Sequence, residues 1–253
     1  MGKIIAVVNQ KGGVGKTTTA VNLAAALHDK GKKVLLCDFD PQANATSGFG
    51  VDKYKVSAGV YEVITGQTET RKAIVETKFG DVLVSSAALS GAGVELVGVE
   101  NREFVLKNAL QGVQNDYDYI FIDCPPSLEL LTLNALCAAE SILVPVQCEY
   151  YALEGLSDLM KTLRAVKARL NPALSICGVV LTMFDGRLNL SYQVAEEVRR
   201  HFPGKVFAAM IPRNVRLSEA PSHGLPVTAY DKLSRGADSY RRLAEEFIQK
   251  EGN

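Results

Sequence analysis

The run Lys11-Gly12-Gly13-Val14-Gly15-Lys16-Thr17-Thr18 gathers three glycines, two lysines and two hydroxyls into one short stretch. Residues of these types at this spacing can hold a phosphorylated ligand. Gly12, Gly13 and Gly15 lack Cβ atoms, so the backbone can curl with its N–H groups pointing inward around an anion. Lys16 is placed to reach outer phosphates, and the Thr17 hydroxyl to ligate Mg²⁺. The usual form of this pattern is G-x-x-x-x-G-K-[ST], and its first glycine is replaced here by Gln10. Two later stretches end in carboxylates. In Asp38-Phe39-Asp40-Pro41, an extended backbone points Asp38 and Asp40 to the same side. A carboxylate there can orient a water for attack on a γ-phosphate, or it can cap a helix or turn, and the residues alone support both. Tyr119-Ile120-Phe121-Ile122 runs into Asp123, followed by Cys124-Pro125-Pro126. An acid at the end of such an apolar run can hold Mg²⁺ through a water.

These residues need particular elements to position them. Ile4-Ile5-Ala6-Val7-Val8 is a short apolar run without polar alternation, as expected of a strand buried on both faces of a parallel sheet. Ala20, Leu23, Ala24 and Leu27 recur at helical spacing, and a helix starting at Lys16 adds the partial positive charge of its N-terminus to the glycine turn. Gly31 closes that helix, and residues 33–37 form a second buried strand that delivers the two aspartates to its carboxyl end, where ligands bind in open α/β sheets. Beyond them the pattern predicts helical stretches over 58–64 and 69–77, a strand over 81–84, and a Gly/Ala/Ser-rich segment through Gly98. No chemistry is assigned to residues 51–101. A helix over 102–113 precedes the strand ending in Asp123. Then follow a helix over 130–138, a strand over 141–146 and a helix over 153–170 ended by Asn171-Pro172. A strand over 176–182, a turn at Asp185-Gly186, a helix to Phe202, a strand over 206–211 and a helix over 234–250 complete the chain. The alternation implies an α/β fold with a doubly wound, mostly parallel sheet flanked by helices on both faces. It is expected to form one domain over residues 1–253.

Hydrophobic residues make up 47% of the chain and charged residues 22%, enough to bury a substantial core and unlike a disordered segment. The net charge is zero but uneven: residues 151–253 hold 15 Lys and Arg against 11 Asp and Glu, the first 150 residues 13 against 17. That mild bias is far below the level at which composition argues nucleic-acid binding. The five cysteines are scattered with no C-x-x-C spacing, which reads as buried free thiols in a reducing compartment. With no signal-peptide start and no apolar stretch of about 18 residues, a cytoplasmic protein is expected.

The stretches KGGVGKTT, DFDPQANAT, YIFIDCPPS and VPVQCEYYALEG, with residues 210–221 (MIPRNVRLSEAP), together resemble the Soj/ParA chromosome-partitioning ATPases over the whole chain. The K-G-G-x-G-K-[ST] loop is similar to the deviant Walker A motif that this family shares with MinD among the P-loop NTPases. The resemblance implies ATP and Mg²⁺ as cofactors, with residues 11–18 (Lys11, Gly12, Gly13, Val14, Gly15, Lys16, Thr17 and Thr18) around the phosphates. It implies that Lys11 reaches across an ATP-dependent homodimer to the partner's phosphates. Asp40 would position the hydrolytic water, Thr17 and, through a water, Asp123 would serve Mg²⁺, and Pro212 and Asn214 would contact the adenine. The Asn214 amide offers both donors and an acceptor to a base edge, although alone it reads as a turn former. Arg187 and Arg216 would bind double-stranded DNA without sequence preference, although alone each reads as a solvated surface charge. A ParB/Spo0J-like partner would stimulate hydrolysis, and the protein would associate with the nucleoid.

Other functions share such a loop. A membrane-cycling relative of the MinD type needs a basic amphipathic C-terminal helix, whereas residues 241–253 carry mixed charge and read as a core-packing helix, so no membrane partner is expected. A carboxylate-activating ligase needs substrate-binding residues within 51–101. An iron–sulfur reductase resembling the nitrogenase iron protein needs exposed paired cysteines, for which Cys124 is the place to look. A nucleotide binder without turnover is the remaining alternative. No helix-turn-helix precedes the loop, so site-specific operator binding is not expected.

Overall fold

The apolar runs form a seven-stranded sheet: β1 (Lys3–Val7), β2 (Val34–Asp38), β3 (Ile74–Thr77), β4 (Gly80–Leu83), β5 (Tyr119–Asp123), β6 (Ser141–Gln147) and β7 (Ser175–Thr182). The structure is a computed structural model that describes residues 1–150 and 152–251, without the side chains of 152–154. Tyr151 in the VPVQCEYYALEG stretch, and Gly252 and Asn253 of the tail, lie outside the described residues. Strand order is β3-β4-β2-β5-β1-β6-β7, and every neighbouring pair is parallel except the β3–β4 hairpin. The helices are α1 (Lys16–His28), α2 (Asn44–Gly48), α3 (Val60–Ile64), α4 (Ala92–Glu95), α5 (Val105–Gln111), α6 (Leu130–Ala138), α7 (Ala152–Arg169), α8 (Asn189–His201), α9 (Val215–Glu219), α10 (Val227–Tyr230) and α11 (Arg235–Glu251).

Alternate residues of the strands feed two separate cores. Ile4, Ala6, Leu35 and Ile120 pack with Leu106 of α5, Leu136 of α6, Leu159 of α7 and Val198 of α8. Ile5, Val7, Leu36 and Phe121 pack on the other face with Leu23 and Leu27 of α1 and Tyr240, Leu243 and Phe247 of α11. Burial on both faces is why the central strands read as unbroken apolar runs. The sheet is therefore doubly wound, as the sequence predicts, and it brings the carboxyl ends of β1, β2, β5, β6 and β7 to one edge.

Two expectations are corrected. Residues 69–77 do not form a helix: a 3-10 turn at Thr70–Ala73 leads into β3, whose Ile74 and Val75 pair with Leu83 and Val82 of β4. Their β-branched side chains fit a pleated surface, and the segment has no apolar helical stripe to bury. Residues 206–211 do not form a ladder strand. Isolated bridges, Val179 to Val206 and Phe184 to Pro212, tie this segment to the β7 side, with the Phe207 and Ile211 N–H groups donating to the Val179 and Leu181 carbonyls at 2.9 and 2.8 Å. Between them, the N–H groups of Ala208 and Ala209 donate to the Glu246 carboxylate of α11, at 2.9 and 3.1 Å, rather than to β7. Pro212 has no N–H to give.

Candidate active site

The glycine turn follows β1 and is pinned from three sides. Asn9 Nδ2 donates to the Pro145 carbonyl of β6 at 2.7 Å, and Asn9 Oδ1 accepts the Lys11 N–H at 3.0 Å. Thr182, at the end of β7, donates its hydroxyl to the Val14 carbonyl at 2.8 Å. Gly13 and Gly15 sit at φ 75° and 89°, the left-handed region that a Cβ disfavours. Gly15 caps α1 without a side-chain cap, so the first N–H groups of that helix are directed into the turn. Lys16 is buried, and its Nζ donates to the Lys11 carbonyl at 3.1 Å. Burial lowers the Lys16 pKa against the opposing charges of Asp123 and Asp40.

Beneath this turn the strand register sets Asp38 of β2 and Val7 of β1 opposite Asp123 of β5. Asp38 is a bracket: its Oδ2 accepts both the N–H and the hydroxyl of Thr46 at 2.7 Å, and its Oδ1 accepts the Asp40 N–H at 3.3 Å. Burial pushes its carboxyl up to about 6. Asp40, two residues beyond the end of β2, accepts the Gln42 N–H at 2.9 Å, so it caps a turn, and its charge acts on Lys16. Asp123 is completely buried, and neither carboxylate oxygen has a hydrogen-bond partner. Burial, then the charge of Asp38, push its carboxyl well above the usual range, opposed by the Thr17 hydroxyl and by Lys16.

An orphaned buried carboxylate beside a hydroxyl asks for a ligand. Two hard oxygen donors suit Mg²⁺, which takes few protein ligands and completes its shell with phosphates and water. Among the described residues no group of three or more His, Cys, Asp or Glu could hold a metal by itself. Cys124 is buried, its thiol pushed up by burial and by Asp123, which removes it from the surface that an iron–sulfur reductase requires.

Beside the turn lies a cavity of about 330 Å³, lined by Thr18, Thr182, Met183, Pro212, Asn214 and Tyr240 among others. Pro212 and Asn214 thus stand together in a wall next to the phosphate turn. Asn214 also caps α9, its Oδ1 accepting the Arg216 N–H at 2.8 Å, so the turn-forming role is real as well. Met183 holds φ 51°, a costly conformation for a side chain of its size, and lines the same wall. Asn9, Thr182 and Met183 are not singled out by the sequence pattern. The only signal was a polar residue closing each apolar run.

Arg187 and Arg216 lie outside the cavity wall. Arg187, between β7 and α8, grips Asp185 through Nε at 2.9 Å and Nη2 at 2.6 Å. Arg216, in α9, pairs with Glu219 at 2.8 Å and Asp231 at 3.2 Å. Both are exposed and both already hold carboxylates. Lys11 lies 3.8 Å from Glu149.

A family model described as an AAA domain matches residues 2–176. The chain is 56% identical over 248 residues to the sporulation initiation inhibitor protein Soj of Bacillus subtilis, covering 97% of this chain and 98% of that protein. It is 51% identical over 253 residues to the chromosome partitioning protein ParA of Myxococcus xanthus, covering 99% and 89%. A solved structure named cobyrinic acid a,c-diamide synthase, from Mycobacterium smegmatis with bound ATP analog and magnesium, superposes with a TM-score of 0.89 at 37% identity, covering 100% of this chain and 97% of that one.

Proposed function

The chain belongs to the Soj/ParA family of chromosome-partitioning ATPases, and on that premise we propose that it is an ATP-gated dimerisation switch that binds DNA without sequence preference and releases it on hydrolysis. The observation that carries the nucleotide half of this reading is Asp123: a fully buried, unpartnered carboxylate beside Thr17, under a turn built from left-handed glycines. ATP and Mg²⁺ are the cofactors this arrangement fits.

In the proposed cycle residues 12–18 cradle the phosphates, with Lys16 neutralising the outer ones. Thr17 and, through a water, Asp123 hold Mg²⁺, whose role is to offset the charge that develops during phosphoryl transfer. Asp40 orients the attacking water from just beyond β2. Pro212 and Asn214 receive the adenine in the neighbouring cavity. Lys11 reaches the phosphates bound by a second copy, so a dimer has a contact that a monomer lacks. For ATP to drive association it must favour the dimer by a few kcal/mol, since equal affinity for both states shifts nothing. Dimerisation doubles Arg187 and Arg216, giving a salt-dependent grip on DNA phosphates that one copy makes only weakly. A ParB/Spo0J-like protein is the partner proposed to stimulate hydrolysis, and the nucleoid is the proposed location.

Amide synthesis on a metabolite carboxylate is a second reading, favoured by the name of the Mycobacterium smegmatis structure. Turnover separates the two. Under partitioning chemistry, ATP is hydrolysed without an added carboxylate or amide donor, and Lys16→Ala abolishes nucleotide binding. Asp40→Ala is expected to keep ATP-dependent dimerisation while turnover falls about a hundredfold, the usual effect of removing one positioned group. Turnover that requires a carboxylate co-substrate supports the second reading.

A further inference from the structure

Lys11 is tied at both ends within its own chain. Its carbonyl accepts from Lys16 Nζ at 3.1 Å, and its ammonium lies 3.8 Å from Glu149 Oε2. Glu149 follows β6, the strand that lies between β1, which feeds the glycine turn, and β7, which feeds the cavity wall. From there its other oxygen pairs with Arg213 at 3.5 Å, beside Pro212 and Asn214. Gln147 orients this carboxylate, donating from Nε2 to Oε1 at 2.6 Å, and the Glu149 N–H is bonded to the Gln147 carbonyl at 2.8 Å. One acidic side chain therefore spans the mouth of the cleft between a cation of the phosphate turn and a cation of the cavity wall.

We propose that Glu149 is a positioning residue that parks Lys11 in cis, so that Lys11 is withheld from a second copy until the site is loaded. The proposal rests on the reading of Lys11 as the lysine that reaches across the dimer. Lys16 Nζ has three N–H donors and can meet a phosphate while keeping the Lys11 carbonyl, so loading the site leaves that end of Lys11 in place and acts on its ammonium end. The ammonium then exchanges Glu149 for the partner's phosphates, a target of higher charge. Because Lys11 and Glu149 are partly exposed, with side-chain accessibilities of 35% and 47%, the tie is weak and reversible. An exposed pair of this kind shifts an equilibrium by about two- to fivefold.

The test compares wild type, Glu149→Gln and the charge-keeping Glu149→Asp by sedimentation velocity over a range of Mg-ATP concentrations at low and high salt. Glu149→Gln is expected to reach half-dimerisation at about two- to fivefold lower ATP at low salt, with the difference shrinking at high salt. Glu149→Asp is expected to stay near wild type. A second arm needs no nucleotide: the rate at which an amine-reactive reagent labels Lys11, relative to Lys55, should rise in Glu149→Gln. Wild type that dimerises with ATP while Glu149→Gln shows an unchanged or raised ATP threshold overturns the parking role. Wild type that does not dimerise with ATP overturns the reading of Lys11 on which it rests, and unchanged labelling overturns the cis tie itself.

Discussion

Asp123 carries a cost that only a ligand relieves. Its carboxyl and that of Asp38 are raised in the folded chain, Asp38 to about 6 and Asp123 well above the usual range, each mainly by burial. A raised acid binds its proton more tightly folded than unfolded, so its favourable contribution is present at low pH and lost as pH rises through the folded value. The nucleotide-free protein is therefore expected to lose stability from the ordinary carboxylate range up through about pH 6 and beyond. Asp123→Asn should be more stable than wild type by about 1–3 kcal/mol at about pH 8, with the gain shrinking towards zero only as pH falls to about 4, the ordinary carboxylate value. Thermal unfolding without nucleotide measures this, and equal stability at both pH values contradicts it. Mg-ATP should reverse the order, since wild type gains from binding what the variant cannot. Lys16, Thr17 and Asp123 were legible in the sequence because glycine spacing and an apolar run ending in an acid are local patterns. Asn9, Thr182 and Met183 were not, because their place in the site comes from strands far apart in the chain. The role of Asp40 stayed double in the structure too: it caps a turn and sits just beyond β2, where its charge acts on Lys16.

The elements that frame the cavity depend on one close approach. A Cβ on Gly178 of β7 would lie 2.1 Å from Cε2 of Phe207, a fully buried ring stacked on Phe247 of α11. Gly178→Ala is expected to cost about 2–3 kcal/mol in urea unfolding, and Phe207→Leu in the same chain to recover part of it. A double variant no better than the single would show that the ring is not what the new methyl meets. The middle of the neighbouring segment is held by Glu246 instead of by a ladder. Glu246→Ala should cost about 1–2 kcal/mol and speed hydrogen exchange at Ala208 and Ala209 while leaving β7 protected. This explains what the sequence showed and hid. Central strands and α1, α6 and α11 were legible because burial on one or both faces writes a periodic pattern. Residues 206–211 carry the same apolar pattern as a strand, but their ladder to β7 is broken in the middle, where a distant carboxylate claims the Ala208 and Ala209 N–H groups. β3 was hidden because a short edge strand paired on one side, with half-buried residues, leaves almost no pattern.

At the scale of the whole molecule the formal net charge is zero, and the proposed DNA contacts are arginines already engaged. Arg216 must loosen Glu219 and Asp231 to meet a phosphate, as Arg187 must loosen Asp185. Removing a competing acid should then help: Glu219→Gln is expected to tighten DNA binding a few-fold at low salt. Arg216→Ala should flatten the dependence of log affinity on log salt by about 2 for a dimer, close to 0.9 for each phosphate that a copy no longer neutralises. Titrations of a labelled duplex at several salt concentrations read both, and Arg216→Ala with an unchanged slope would remove Arg216 from the interface. The apolar side of α11 is taken up by α1 and the sheet, and no described helix is long and apolar enough to cross a membrane. The most direct test of the switch is fluorescence anisotropy of a short duplex of arbitrary sequence, titrated with wild-type protein in ATP, in ADP and without nucleotide. Binding in ATP alone, lost in Lys16→Ala and weakened by salt, is the predicted result. Equal binding in all three conditions, or hydrolysis of ATP with no binding in any of them, would contradict it.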